Sequence, residues 1–125
     1  MYIININATN TTPAIRYTKD GRLQISGRSI TEGGINFYQP LIDWAGTLQI
    51  KLLSVDINLE YLNSTSSKKL LHLLKTLDTN NNIKKLLINW FYDEGDDDAL
   101  DKGQVMEGFL HKAEFSFQMN SGTEK

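Results

Sequence analysis

The chain has 125 residues, 40% of them hydrophobic and 22% charged, with a net charge of −2; this suits one globular domain with its own core and leaves no basic footprint for nucleic acid. It has no cysteine, which excludes disulfides, thiolate catalysis and Cys-ligated zinc. No apolar run reaches the ~18 residues of a membrane span, and the N-terminus lacks the charged-then-apolar pattern of a secretory signal, so a cytoplasmic location is expected.

The segment YIINI (residues 2–6) is β-branched and short, a strand. Pro13 holds Thr12 extended. AIRYTKDGRLQISGRS (14–29) reads as a hairpin around the turn dipeptide Asp20-Gly21. Leu23 and Ile25 alternate with Arg22, Gln24 and Ser26, so one face of its second strand is buried. TEGG (31–34) is loop. Over 37–51, Phe37, Leu41, Trp44, Ala45 and Leu48 share one helical face, with Pro40 in the first turn.

In LLSVDINLEYL (52–62), Leu53, Val55, Ile57 and Leu59 alternate with Ser54, Asp56, Asn58 and Glu60, which predicts a half-buried strand. Leu70, Leu73, Leu74 and Leu77 make an amphipathic helix over 66–78, ended by TNNN. IKKLLINWFYDE supplies a strand over 85–91. A third helix, less regular because of Gly103 and Gly108, is expected over 98–110, with acid at its positive end. EFSFQM (114–119) is a last strand, and 121–125 reads as a flexible tail. The order ββ(β)αβαβαβ predicts an α/β sandwich, about three helices packed on a mixed sheet, as a single domain over 1–120.

Catalytic signatures are absent. There is no HExxH, no GxxxxGK[ST] phosphate loop and no GxGxxG. His72 lies among leucines and reads as a flank or partly buried structural histidine; His111 lies near the end of the third helix, where a cation suits the dipole. The acidic run from Asp93 to Asp101 fails as an EF-hand loop, because a start at Asp96 puts Asp101 where glycine is needed. It reads as a solvated loop capping a helix; a divalent-cation site and a partner contact are the alternatives. In NWFYDE (89–94), alternation sends Trp90 and Tyr92 to one face and Phe91 to the other. Core packing and a surface anchor are both open for these aromatics.

Four hydroxyl residues, Ser64, Thr65, Ser66 and Ser67, precede the Leu-rich helix. One side-chain oxygen suffices to cap a helix, and Ser66 or Ser67 meets that need. The remainder admit a second reading. A phosphoryl group at a helix N-terminus meets unpaired N–H donors and the positive end of the dipole, and adds about −2 of charge.

Taken in order, TPAI (12–15), GRLQISGRS (21–29) followed by TE, FYQPLIDW (37–44), LEYLNSTSSK (59–68), NWFYDEGDDDALDKG (89–103) and FSF (115–117) resemble the SiaC family of bacterial regulatory phosphoproteins. The resemblance covers almost the whole chain. Thr31-Glu32 stands where the family usually reads Pro-Glu.

The resemblance implies a STAS-like fold and a non-catalytic partner-switching role without cofactor or metal. A Ser/Thr protein kinase would phosphorylate the protein and a PP2C-type phosphatase would reverse this. The unphosphorylated form would bind an effector, a diguanylate cyclase, promoting cyclic-di-GMP synthesis and biofilm formation. The family's acceptor directly follows Tyr-Leu-Asn, which carries over to Ser64; Thr65 is the second choice, because the family more often reads Thr then Ser here. Asn63, Ser66 and Ser67 would support the phosphosite at the helix N-terminus, and Tyr61, Lys68, Trp90 and Tyr92 are candidates for the partner surface. The competing readings are a STAS-like ligand- or lipid-sensing module without phosphoswitching, and an enzyme with a cation site in the acidic run.

Overall fold

A computed structural model describes residues 3–30 and 36–120. The expected TEGG loop and the 121–125 tail lie outside the described residues. Within them the order is β1 (Ile4–Ile6), β2 (Ala14–Thr18), β3 (Arg22–Ser29), α1 (Gln39–Thr47), β4 (Leu52–Leu62), α2 (Ser64–Thr79), β5 (Lys85–Asp93), α3 (Asp97–Gly108) and β6 (Glu114–Asn120). The strands form one six-stranded sheet in the order β1-β2-β3-β4-β5-β6. β1, β2 and β3 pair antiparallel, and β3 to β6 pair parallel.

The β2–β3 hairpin turns where Asp20-Gly21 predicts. Gly21 has φ +92°, and a Cβ there would meet the Leu52 carbonyl oxygen at 2.5 Å. Its own carbonyl accepts the Ser54 N–H at 2.9 Å, which links the turn to β4. Each later crossover, through α1, α2 and α3, steps one strand further in the same direction. Right-handed crossovers then place all three helices on one face of the sheet. The core fills that interface. Leu53, Val55, Ile57 and Leu59 of β4 face Leu70, Leu73, Leu74 and Leu77 of α2, all buried.

The alternation expected along β4 holds, with one departure on the helix-free face. Asp56 is 8% exposed there. Its carboxylate accepts Arg22 Nη2 at 2.7 Å and Asn89 Nδ2 at 2.8 Å, so a buried charge is paired rather than stranded.

Helix boundaries moved where local chemistry outweighed periodicity. α1 is shorter than 37–51: Pro40 sits in its first turn, and Leu48 is already extended with ψ 131°. Ile42 joins Leu41 and Ala45 on its buried face. α2 begins at Ser64 rather than Ser66, because Asn63 has ψ 175° and caps the helix. α3 ends at Gly108, so His111 falls beyond it. His72 is exposed on α2.

Two polar residues join the helix ends to the rest of the fold. Asn80 Nδ2 donates to the Ala45 and Leu48 carbonyls at 2.8 and 2.9 Å, tying the end of α1 to the end of α2. Asp78, 6% exposed, accepts the N–H groups of His111, Lys112 and Ala113 and fixes the α3–β6 connection.

Gly103 explains why α3 tolerates a glycine in its middle. A Cβ there would meet Trp90 ring atoms at 2.7 Å. That ring is held by its Nε1–H donating to the Ala99 carbonyl at 3.0 Å, so it has little room to yield. Gly103→Ala is therefore expected to destabilise by about 1–3 kcal/mol despite alanine's better helix propensity. Thermal denaturation followed by circular dichroism would check this; an unchanged or raised Tm contradicts the packing argument.

Candidate functional site

The junction from β4 to α2 is built from backbone outward. The Asn63 N–H donates to the Ser29 carbonyl at 3.2 Å, which anchors the cap to β3. Its Oδ1 accepts the Ser66 N–H at 2.9 Å, and its carbonyl accepts the Ser67 N–H at 2.8 Å. The cap is thus Asn63, and neither Ser66 nor Ser67 serves as one. Asn63→Ala should cost about 1 kcal/mol and fray the first turn of α2. Faster amide exchange confined to that turn would be the signature, and exchange unchanged there would refute the cap's role.

With the cap assigned, the four hydroxyls occupy successive positions in the first turn. Ser64 and Thr65 are exposed, and Ser66 is fully buried. Ser67 Oγ is buried without a hydrogen-bond partner. Ser64 is the first residue of a 16-residue helix whose first turn has no acidic side chain. The free N–H groups and the dipole there are therefore not already met by a carboxylate.

Beside Ser64 a groove of about 370 Å³ runs between α2 and α3, lined by Ser64, Ser67, Lys68 and Leu71 on one side and Asp101, Lys102, Val105 and Met106 on the other. Its floor is apolar, and Val105 is 60% exposed. Lys102 Nζ donates to the Leu62 carbonyl, two residues before Ser64, at 2.7 Å and to Asp98 at 2.8 Å, which brings a cation from α3 to the same groove as Ser64. Tyr61 is 54% exposed at the end of β4, with the Arg28 guanidinium 5.1 Å above its ring.

The fold corresponds to that of known relatives. A sequence model described as SiaC family regulatory phosphoprotein matches residues 6–120. This chain belongs to the SiaC family. A Pseudomonas aeruginosa protein of uncharacterised function is 26% identical over 126 residues, 97% of this chain and 98% of that protein. The crystal structure of apo-SiaC from P. aeruginosa superposes with a TM-score of 0.78 at 26% identity, covering 94% of this chain and 99% of that one. A structure of the diguanylate cyclase SiaD in complex with its activator SiaC, also from P. aeruginosa, matches with a TM-score of 0.80 at 25% identity over 94% of this chain and 99% of that one. The family is regulatory, and the chain's role is regulatory rather than catalytic.

Within the SiaC fold the residues singled out by sequence scatter over more than one surface. Ser64 and Lys68 lie together on the groove at the junction, and the exposed Tyr61 precedes it at the end of β4, on a separate hollow. Trp90 is 3% exposed and packs under α3, so it offers no anchor to a partner. Tyr92 is partly buried against the core. In the acidic run, Asp96 caps α3 by accepting the Ala99 N–H at 3.1 Å, Asp98 pairs with Lys102, and Asp93 accepts from Asn120. Among the described residues no group of three or more His, Asp or Glu side chains is arranged to hold a metal, and no helix is long and apolar enough to cross a membrane.

Lys102, Val105 and Met106 are groove residues that sequence reasoning did not identify. Only the spacing of α2 from α3 makes them one lining.

Proposed function

We propose that this chain is a phosphorylation-controlled partner-switching protein of the cytoplasm. A Ser/Thr kinase modifies Ser64, a PP2C-type phosphatase restores it, and the unmodified form binds and activates a diguanylate cyclase, raising cyclic-di-GMP and favouring biofilm formation. One observation carries this reading: Ser64 is exposed, heads α2 directly behind its Asn63 cap, and sits on the rim of an apolar groove. The likeness to SiaC bound to SiaD supports a cyclase as the effector. The groove is an open channel between two helices, a shape that fits a macromolecular surface better than an enclosed small ligand.

The switch follows from charge. As a hydroxyl, Ser64 leaves the rim neutral and the apolar floor available. As a phosphate it brings about −2 of charge to that rim, where the free N–H groups of α2 stabilise it. A partner laid over the groove must then desolvate or match that charge. No refolding is required, only a change in what the surface accepts.

Phosphopeptide mapping of the chain purified from its own host tests the acceptor. The expected result is a single modified peptide with phosphate on Ser64. Phosphate on Thr65 alone would move the acceptor by one residue, and its absence under all growth conditions would refute the switch.

A further inference from the structure

One edge of the sheet is the three-residue β1, and the other is the seven-residue β6. Edge strands present unpaired N–H and C=O groups, and proteins blunt them with short length, proline, lysine or bulges. β1 is blunted by its length. β6 has none of these devices: EFSFQMN contains no proline, no lysine and one charge, Glu114. Its register with β5 puts Phe115, Phe117 and Met119 on the side of Ile88 and Trp90, the helix-covered side. Yet Met119 remains 57% exposed, and the stacked Phe115 and Phe117 are only partly buried.

We infer that β6 is a self-pairing edge, and that two copies of this chain join β6 to β6, antiparallel, about a twofold axis at Phe117. Every facing pair in that register is compatible. Phe115 meets Met119 and Phe117 meets its own copy, which covers the exposed apolar side chains with aromatic and aliphatic cross-strand pairs. Ser116 meets Gln118 on the other face. The one charge is placed without conflict: each Glu114 meets Asn120, and the two carboxylates stay about 20 Å apart along the junction. An isologous contact of this kind closes at two copies, whereas pairing β6 with β1 would run on without closing and has only three residues of β1 to use. The junction uses neither Ser64 nor the groove, so it is independent of the switch. A single strand pair lies at the small end of specific interfaces, below about 1,200 Å², so the dimer is expected to dissociate on dilution.

Sedimentation velocity of the full chain across a wide concentration range should show a mass rising from the 14.2 kDa chain toward twice that value. Met119→Lys, at an exposed position, should stay monomeric throughout with an unchanged circular dichroism spectrum. Because the chain has no cysteine, a single Phe117→Cys gives a direct test of register. Facing Cα atoms in an antiparallel pair lie about 4.5–5.5 Å apart, within disulfide reach, so mild oxidation should link two copies. A wild-type chain that is monomeric at every concentration overturns the proposal. So does a dimer indifferent to Met119→Lys, or a folded Phe117→Cys chain that fails to crosslink.

Discussion

Ser64→Glu is expected to weaken binding of the proposed cyclase effector at least about tenfold, ~1.4 kcal/mol, while Ser64→Ala leaves it intact. The position makes the result interpretable. Ser64 is the first residue of α2 and is exposed, so a carboxylate there interacts favourably with the helix dipole by about 0.3–1 kcal/mol. The variant should fold as well as the wild type or slightly better. Lost binding then reports on the interface and not on damage to the fold. Isothermal titration against the effector, with Tm measured in parallel, provides both readouts. Thr65→Glu discriminates the two acceptors: if it abolishes binding and Ser64→Glu does not, Thr65 is the switch residue. Binding by all variants would end the phosphoswitch reading.

Asp78→Ala should cost about 3 kcal/mol, a large fraction of the 5–15 kcal/mol that holds such domains together. The carboxylate accepts three N–H groups from one loop: His111 at 2.9 Å on Oδ2, and Lys112 at 2.9 Å and Ala113 at 2.8 Å on Oδ1. Removing it leaves three backbone donors without a partner at a site that is 6% exposed in Asp78, and each such donor carries a desolvation penalty. Asp78→Asn should fall between the two, since its one oxygen can keep the Oδ1 bonds while its NH₂ group meets a donor at the Oδ2 side. For a domain of this size the alanine variant should lower Tm by on the order of 10 °C. Urea titration would show the order wild type, Asn, Ala. Equal stability of the three would mean that water replaces the carboxylate without cost.

Neither of these sites was legible to the same degree in the sequence. Asp78 stands at the end of a leucine helix, where an acid has no local reason to be, since the negative end of the dipole disfavours it. Its partners lie more than thirty residues away. Nothing in the spacing announces that contact. Asn80 is the same case: it reads as one of several asparagines ending a helix, and it holds the end of α1. Ser64 was legible in part. The hydroxyl run marks the junction, but it points to Ser66 or Ser67 as the cap, and the cap is Asn63. Periodicity fixes where leucines must point and is silent on which polar residue first leaves the strand.

Local chemistry determined what repeats or turns. The alternation of Leu53, Val55, Ile57 and Leu59, the leucine stripe of α2 and the Asp20-Gly21 turn each depend on neighbours within a few residues, and the order of elements follows from them. Tertiary structure decided everything that depends on two elements meeting. It buried Trp90 under Gly103, opened a groove between α2 and α3 beside Ser64, and left β6 at the edge of the sheet. These are properties of the distance between chain segments far apart in sequence, and a pattern with a period of two or 3.6 residues carries no information about that distance.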